Sequence, residues 1–465
     1  MNIQTIKKKL VGDRHFYRKV LTVTVPIMLQ NGITNFVNML DNIMVGQVGT
    51  EQMSGVAIVN QLMFVFNLCV FGAVAGAGIL GAQFYGSGNH EGVRYTFRFK
   101  MYICLAISAL GLLIFGGMGD TLIQLYLHSG SETGDIYATL EHGRQYMLVM
   151  MAGLIPFAVV QSYAGTLRES GETMVPMIAG ITAVLVNLVG NYILIFGKFG
   201  APMLGVQGAA IATVISRFVE LGIIVFWTHS HKEKHPFIKG VYRSLYIPGQ
   251  LVRQILVTGM PLLINEGLWS GGMAMITQCY SVRGLAVVAG INIANTLTNV
   301  FNVVFLSLGN AVGIIVGQLL GAGKLEQARD EDRKIIAFAT FLCLGLGVLL
   351  YVVAPLFPLI YNTDQEVREL ATSFMRITAI CMPLYGITNT AYFTLRSGGK
   401  TIITFLFDSA FVWSVVIPIV YCLSHFTGIH VVWVYAACQA TELIKAIVGL
   451  TLVYKGVWIQ KIVAE

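Results

Sequence analysis

Five carboxylates fall inside stretches of this chain that are otherwise almost wholly apolar: Asp41, Glu220, Glu266, Asp408 and Glu442. An acid at the centre of a bilayer is disfavoured by roughly 2.5–3.5 kcal/mol on insertion scales, so such residues face a protein interior or a wet cavity. A carboxylate held there takes up a proton more readily than one in water, because desolvation disfavours the charged form. With neutral oxygens beside it, the same group can hold Na+. Asp41, near the end of the first apolar stretch and beside Asn38 and Asn42, is the first candidate for this chemistry. The competing reading is a boundary acid wetted by headgroups. Glu266 follows Pro261 by five residues, and Asp408 precedes Trp413 by five with no basic residue near it in sequence. These two form a candidate second site, for protonation or substrate contact, against the alternative of acids buried by hydrogen bonds. Glu220 stands three residues after Arg217, and Glu442 three before Lys445. That spacing puts each pair on one helix face and reads as two self-neutralised structural pairs.

The elements that position these residues must be membrane helices. The chain is 55% hydrophobic and 11% charged, with mean hydropathy +0.72, whereas a soluble chain carries roughly 25% charged residues. A helix of ~20 mostly apolar residues crosses a bilayer. Such spans are expected at 20–45, 56–81, 100–118, 145–166, 174–197 and 205–228, then at 255–280, 286–317, 335–356, 370–393, 401–423 and 431–454. With the N-terminus inside, 23 of the 30 Lys and Arg fall in inner segments and four in outer loops, while Arg217, Arg376 and Lys445 lie within spans. The positive-inside bias predicts a multi-pass protein of the inner (cytoplasmic) membrane with both termini cytoplasmic. It also accounts for the net charge of +7 without a nucleic-acid partner. The N-terminal stretch is polar and basic, so no cleaved signal peptide is expected. The seven cysteines sit in apolar stretches without ligand spacing and read as packing residues.

The sequence repeats itself at an offset of 235: Pro26 with Pro261, Gly49 with Gly284, Asn60 with Asn295, Gln83 with Gln318 and Gly86 with Gly321. The stretch Leu167–Thr173 likewise matches Leu395–Thr401. Six spans per half is an even number, so the repeats are parallel, related by an axis along the membrane normal. The organisation expected is an N-terminal six-helix half (1–228), a solvated cytoplasmic linker (229–254) and a C-terminal six-helix half (255–465). The linker's histidines show no convincing ligand spacing. Gly76–Gly81 fits GxGxxG but lies in an apolar span without the βαβ context of a dinucleotide site, so it reads as helix packing. The run Asp330–Arg333 reads as a solvated loop. No catalytic constellation is present, so an enzyme is not expected, and no cofactor is implied.

The motifs Asp41–Gly46, Gly81-Ala82-Gln83 through Gly88-Asn89, Leu167–Thr173, Gly208–Thr213, Gly317-Gln318 through Gly323, and the Arg396 loop resemble the multidrug and toxic compound extrusion (MATE) family. The resemblance covers nearly the whole chain. It implies an all-α polytopic membrane protein, with twelve transmembrane helices in a V-shaped fold, that exports organic, often cationic, compounds by H+ or Na+ antiport. It further implies that Asp41 serves cation coupling together with Asn187, Asn191 and Thr213, with no metal beyond Na+ at Asp41. Asn187 and Asn191 are four apart and share a helix face; their competing role is to bond neighbouring helices. In the archaeal and DinF-like branch the position of Asn191 is commonly Asp, which leaves the coupling ion open. NorM-like members carry a Glu about one turn beyond Glu266 and an Asp in the tenth span. Tyr385–Leu395 contains no acid, so the polar sites stand closer to the DinF-like pattern. The implied partners are a small organic substrate and the bilayer, with the protein a monomer. A lipid or lipid-linked precursor flippase is the alternative. Gln61, Trp269, Gln278 and Tyr280 are candidates to line a substrate cavity.

Overall fold

The computed structural model describes residues 10–126, 136–361 and 363–463. Its architecture is all-helical: α1 (Arg14–Gly46), α2 (Thr50–Gly86), α3 (His90–Gln124), α4 (Ile136–Met151), α5 (Leu154–Glu169), α6 (Met174–Phe196) and α7 (Gly205–Ser230), then α8 (Gly249–Ser281), α9 (Leu285–Gly321), α10 (Leu325–Val353), α11 (Gln365–Ser397), α12 (Thr401–Phe426) and α13 (Val431–Lys455). Among the described residues, ten helices are long and apolar enough to cross a membrane, and α4–α5 adds an eleventh as one span bent by 47°. With α8, which carries Arg253 and Glu266, this is the twelve-helix arrangement expected.

The bend in the fourth span has a local cause. Pro156 in the first turn of α5 has no N–H to offer the preceding turn. Arg217 of α7 inserts at the break, where its Nη1 donates to the Gly153 carbonyl at 3.0 Å and its guanidinium lies 5.1 Å from the centre of the Phe157 ring. Arg217 therefore spends its charge here. No ion pair between it and Glu220 forms within 4.0 Å, and the expected i,i+3 neutralisation is replaced by helix-break capping.

Packing divides the chain into two compact units: an N-terminal unit of Leu29–Gly81 and His90–Leu256, and a C-terminal unit of Met1–Met28, Ala82–Asn89 and Val257–Glu465. Segment 229–254 is not a solvated spacer. Phe237, Ile238 and Val241 are buried. Arg94 Nε donates to the Phe237 carbonyl (3.1 Å), and Arg98 donates to the carbonyls of Val241 (2.7 Å), Tyr246 (3.0 Å) and Gly240 (3.3 Å). Two arginines of α3 thus bind the segment through its backbone. Asp332 likewise lies in α10 rather than in a loop; it is fully buried and accepts a hydrogen bond from Thr394.

The repeat is visible as a reciprocal contact in the C-terminal unit. A Cβ on Gly86 would meet the Gln318 carbonyl oxygen at 1.9 Å, and one on Gly321 would meet the Gln83 carbonyl oxygen at 1.9 Å. Gln83/Gln318 and Gly86/Gly321 are repeat mates, so the contact is isologous, as twofold-related elements produce where they meet. Glycine is required at both places because backbone packs directly on backbone.

Candidate cation-coupling site

The N-terminal unit gathers the four residues singled out around Asp41. α6 and α7 form a close antiparallel pair. Gly190 packs on Ala212 (2.9 Å to an added Cβ), and Gly208 on the Leu194 carbonyl (2.5 Å). Small residues at a crossing let helix backbones approach, which brings Asn187 and Asn191 of α6 to Thr213 of α7. On the other side, Gln30 of α1 sits in the space left by Gly180 and accepts from Arg168 Nη2 at 2.9 Å. This docks α1 on α6, and Asp41 lies further along α1.

Asn191 Nδ2 donates to Asp41 Oδ1 at 2.8 Å. The Asn187 amide can be placed two ways, since O and N are assigned from the network. In one, its nitrogen faces the Thr213 hydroxyl at 3.0 Å. In the other, its nitrogen donates to Asp41 Oδ2 at 2.7 Å while its oxygen accepts from Thr213 N and Oγ1 at 3.3 and 3.0 Å. The second satisfies both ends of the amide and is therefore the favoured orientation. Both carboxylate oxygens of Asp41 then face amide donors. Asn187 and Asn191 are buried and Asp41 half-buried. No cation is paired with Asp41 within 4.0 Å among the described residues. One acceptor is left over: Asn191 Oδ1 is buried without a hydrogen-bond partner. The side chain of Asn42 lies outside the described part.

The second candidate pair sits in the C-terminal unit in different company. Asp408 accepts from Asn265 Nδ2 at 3.1 Å and from Lys445 Nζ at 3.1 Å. Glu266 is the next residue after Asn265 on α8. Asp408 therefore has the basic partner that its sequence neighbourhood lacked. Lys445, expected to neutralise Glu442, lies closer to Asp408 (3.1 Å) than to Glu442 (3.7 Å). Asn265 was not foreseen; the only hint is an amide beside an acid in an apolar span. Of the cavity candidates, Tyr280 is instead buried in the core of this unit against Tyr435.

A family model, MatE, matches residues 26–193 and 261–422. This chain belongs to the MATE family. It is 24% identical to "Probable multidrug resistance protein NorM" of Thermotoga maritima over 450 residues, covering 95% of this chain and 93% of that one. It is 28% identical to "Probable multidrug resistance protein YoeA" of Bacillus subtilis over 457 residues, covering 96% and 95%. A solved MATE family transporter in an outward-facing conformation shares the fold with TM-score 0.85 at 19% identity, covering 96% and 97%. The protein is thus a multi-pass membrane protein of a transporter family.

Proposed function

We propose that this MATE protein is a cation-coupled antiporter that exports organic, mostly cationic, compounds across the inner membrane, with Asp41 as the coupling carboxylate. The observation that carries the reading is an acid held only by neutral amides, with a buried, unpartnered acceptor, Asn191 Oδ1, on one of those amides. The residues fit the coupling ion either way. A proton on Asp41 removes its uncompensated charge, and Na+ would be held by its carboxylate. A buried acid without a fixed counter-ion binds its cation with an affinity that depends on hydration. It therefore responds to any change in water access between two states. Antiport follows when ion and substrate bind those states with different affinity.

The lack of an acid in Tyr385–Leu395 favours the DinF-like pattern, while Asn191 departs from that branch's usual Asp and leaves one carboxylate at the site. The charge bias of the inner segments supports cytoplasmic termini, and a monomer suffices because every residue of the site comes from one chain. The "multidrug resistance" names of the relatives support export of varied organic compounds. The test is uptake of a cationic dye by inside-out proteoliposomes under an imposed H+ or Na+ gradient. Asp41→Asn is expected to remove gradient stimulation, which for coupled sites amounts to roughly 5–150-fold, while leaving the folded protein intact. Undiminished gradient-driven uptake by Asp41→Asn overturns the assignment. Scrambling of labelled lipid without dye transport overturns export in favour of the flippase.

A further inference from the structure

The coupling site makes no use of an open groove elsewhere in the N-terminal unit, about 680 Å³ in volume, between α5 and α7. Phe218, Gly222, Phe226 and His229 recur at three or four residues along α7, so they form one face that runs to the end of the helix. Val159 and Tyr163 supply the facing wall from α5. From Phe218 to His229 the groove covers about 16 Å of helix, close to the ~15 Å of hydrocarbon in one bilayer leaflet. Its floor is bare, since a Cβ on Gly222 would meet nothing within 4 Å. Its sides are open, with Phe218 and Phe226 52% and 77% exposed. Because α7 is a membrane-crossing helix, hydrocarbon and not water lies against this face.

One end of the groove is polar. The Tyr163 hydroxyl lies 3.1 Å from His229 Nε2 and hydrogen-bonds the Tyr242 hydroxyl, and the His229 and Tyr242 rings stack. With a neutral imidazole, these three groups hold three N–H or O–H protons, and the two hydrogen bonds between them use two. Whichever way the chain is oriented, one donor is left for an acceptor outside the triad. The charges around this end have the sign that an anionic acceptor requires. Segment 231–243 holds four basic residues. Lys234 and Lys239 are paired with Glu172 and Glu233, at 2.5 and 2.7 Å. Lys232, three residues beyond His229, and Arg243, next to Tyr242, are exposed and have no ion pair within 4.0 Å among the described residues. Tyr242, Leu245 and Tyr246 are exposed as well. Aromatic side chains of this kind collect at the level of the lipid headgroups. Arg98 and Tyr102 of α3 hold the segment in place through the carbonyls of Val241, Tyr246 and Leu245.

We propose that this groove binds an anionic phospholipid, with one acyl chain along the α7 face over Gly222 and the phosphate at the Tyr163–His229–Tyr242 end, in the field of Lys232 and Arg243. The inference does not rest on Asp41; on the topology proposed above, the lipid belongs to the cytoplasmic leaflet. The probe is dioleoylphosphatidylglycerol, added to purified, delipidated full-length protein in detergent, with bound lipid counted by native mass spectrometry. Dioleoylphosphatidylcholine and glycerophosphoglycerol, the same headgroup without chains, are the competitors. One phosphatidylglycerol is expected to bind ahead of any other and to resist both. Gly222→Leu fills the floor from a position where an added Cβ meets nothing. It is expected to weaken that first site roughly tenfold or more, which is what excluding about two chain methylenes amounts to. Lys232→Gln and Arg243→Gln are each expected to weaken it roughly fivefold and to leave phosphatidylcholine binding unchanged. Both change exposed side chains, so they decide the matter should Gly222→Leu not yield monodisperse protein. Parental affinity in Gly222→Leu, or in the two charge variants, overturns the proposal, as does equal binding of phosphatidylcholine. Complete competition by glycerophosphoglycerol overturns it in favour of a site for a free phosphate ester, and displacement by the cationic dye in favour of a substrate site. Failure of the coupling reading appears elsewhere, as undiminished gradient-driven dye uptake by Asp41→Asn.

Discussion

The two units hold their central acids in opposite ways. Asp41 is surrounded by amides: Asn191 donates to one oxygen and Asn187 to the other, and no cation lies within ion-pair distance among the described residues. Asp408 is bonded by an ammonium that belongs to the protein. Amide donors are dipoles; they solvate a carboxylate without cancelling its charge, so Asp41 stays open to a cation from outside. A lysine cancels the charge permanently. A repeated scaffold has thus been given an exchangeable acid in one unit and a compensated one in the other. At the repeat offset Asp41 corresponds to Ile276, which is buried in the apolar core of the C-terminal unit.

The largest expected effect breaks this comparison through stability. Removing one partner of a buried ion pair strands the other, at roughly 3–5 kcal/mol. Lys445→Met strands two acids. Because these side chains keep 11–18% exposure, a loss near the low end, about 3 kcal/mol, is expected as a lowered melting temperature in detergent. Asp41→Asn removes a charge that has no ionic partner, and is expected to stay within about 1 kcal/mol of the parent, the scale of one hydrogen bond. Lys445→Met/Asp408→Asn should recover much of the lost stability. Equal melting temperatures for Lys445→Met and Asp41→Asn would erase the distinction between the two acids.

A smaller effect tests the scaffold on which both sites are hung. Gly86→Ala and Gly321→Ala each force a methyl group against a carbonyl oxygen that is 1.9 Å away. Overpacking of this kind destabilises by typically 1–3 kcal/mol. As repeat mates in one reciprocal contact, the two substitutions should cost the same, and the double variant less than their sum, since one separation of α2 and α9 relieves both. Thermal unfolding of the three variants checks this. Unequal single effects, or strict additivity, would mean that the contact is not shared.

What could be read in advance follows from which partners a residue has. The spans and the repeat were visible because apolar blocks, Gly and Pro recur at fixed spacing. The Asp41 group was found through its motif, and the fold supplies the α6–α7 crossing that joins Asn187 to Thr213. Lys445 was assigned to Glu442 because i,i+3 spacing is visible in sequence. Its closer partner, Asp408, lies 37 residues away across π-helical turns that change which residues face α8 and α13. Arg217 was assigned to Glu220 on the same logic, yet binds a carbonyl at a helix break. Arg94 and Arg98 were counted as topological charge, yet their partners are the backbone carbonyls of segment 229–254. Carbonyl partners carry no side-chain signature, so this class of contact stays invisible until the chain is folded.

The smallest expected effect concerns that docked segment and extends the contrast between compensated and uncompensated groups to a base. His235 is buried, both its ring nitrogens lack a hydrogen-bond partner, and it packs between Trp227 and Phe237. Burial holds its pKa below the ordinary 6.5, with Glu172 acting in the opposite sense. The folded state therefore binds the proton less readily than the unfolded one, and stability rises with pH in that window. Docking of 236–246 is fully present above about pH 6.5 and weakens as the pH falls below it. Hydrogen-exchange protection of these amides, corrected for intrinsic rates, should fall between neutral pH and pH about 5 in the parent. It should stay flat in His235→Phe, which keeps the aromatic packing and cannot charge. The same pH dependence in both proteins would assign it to another group.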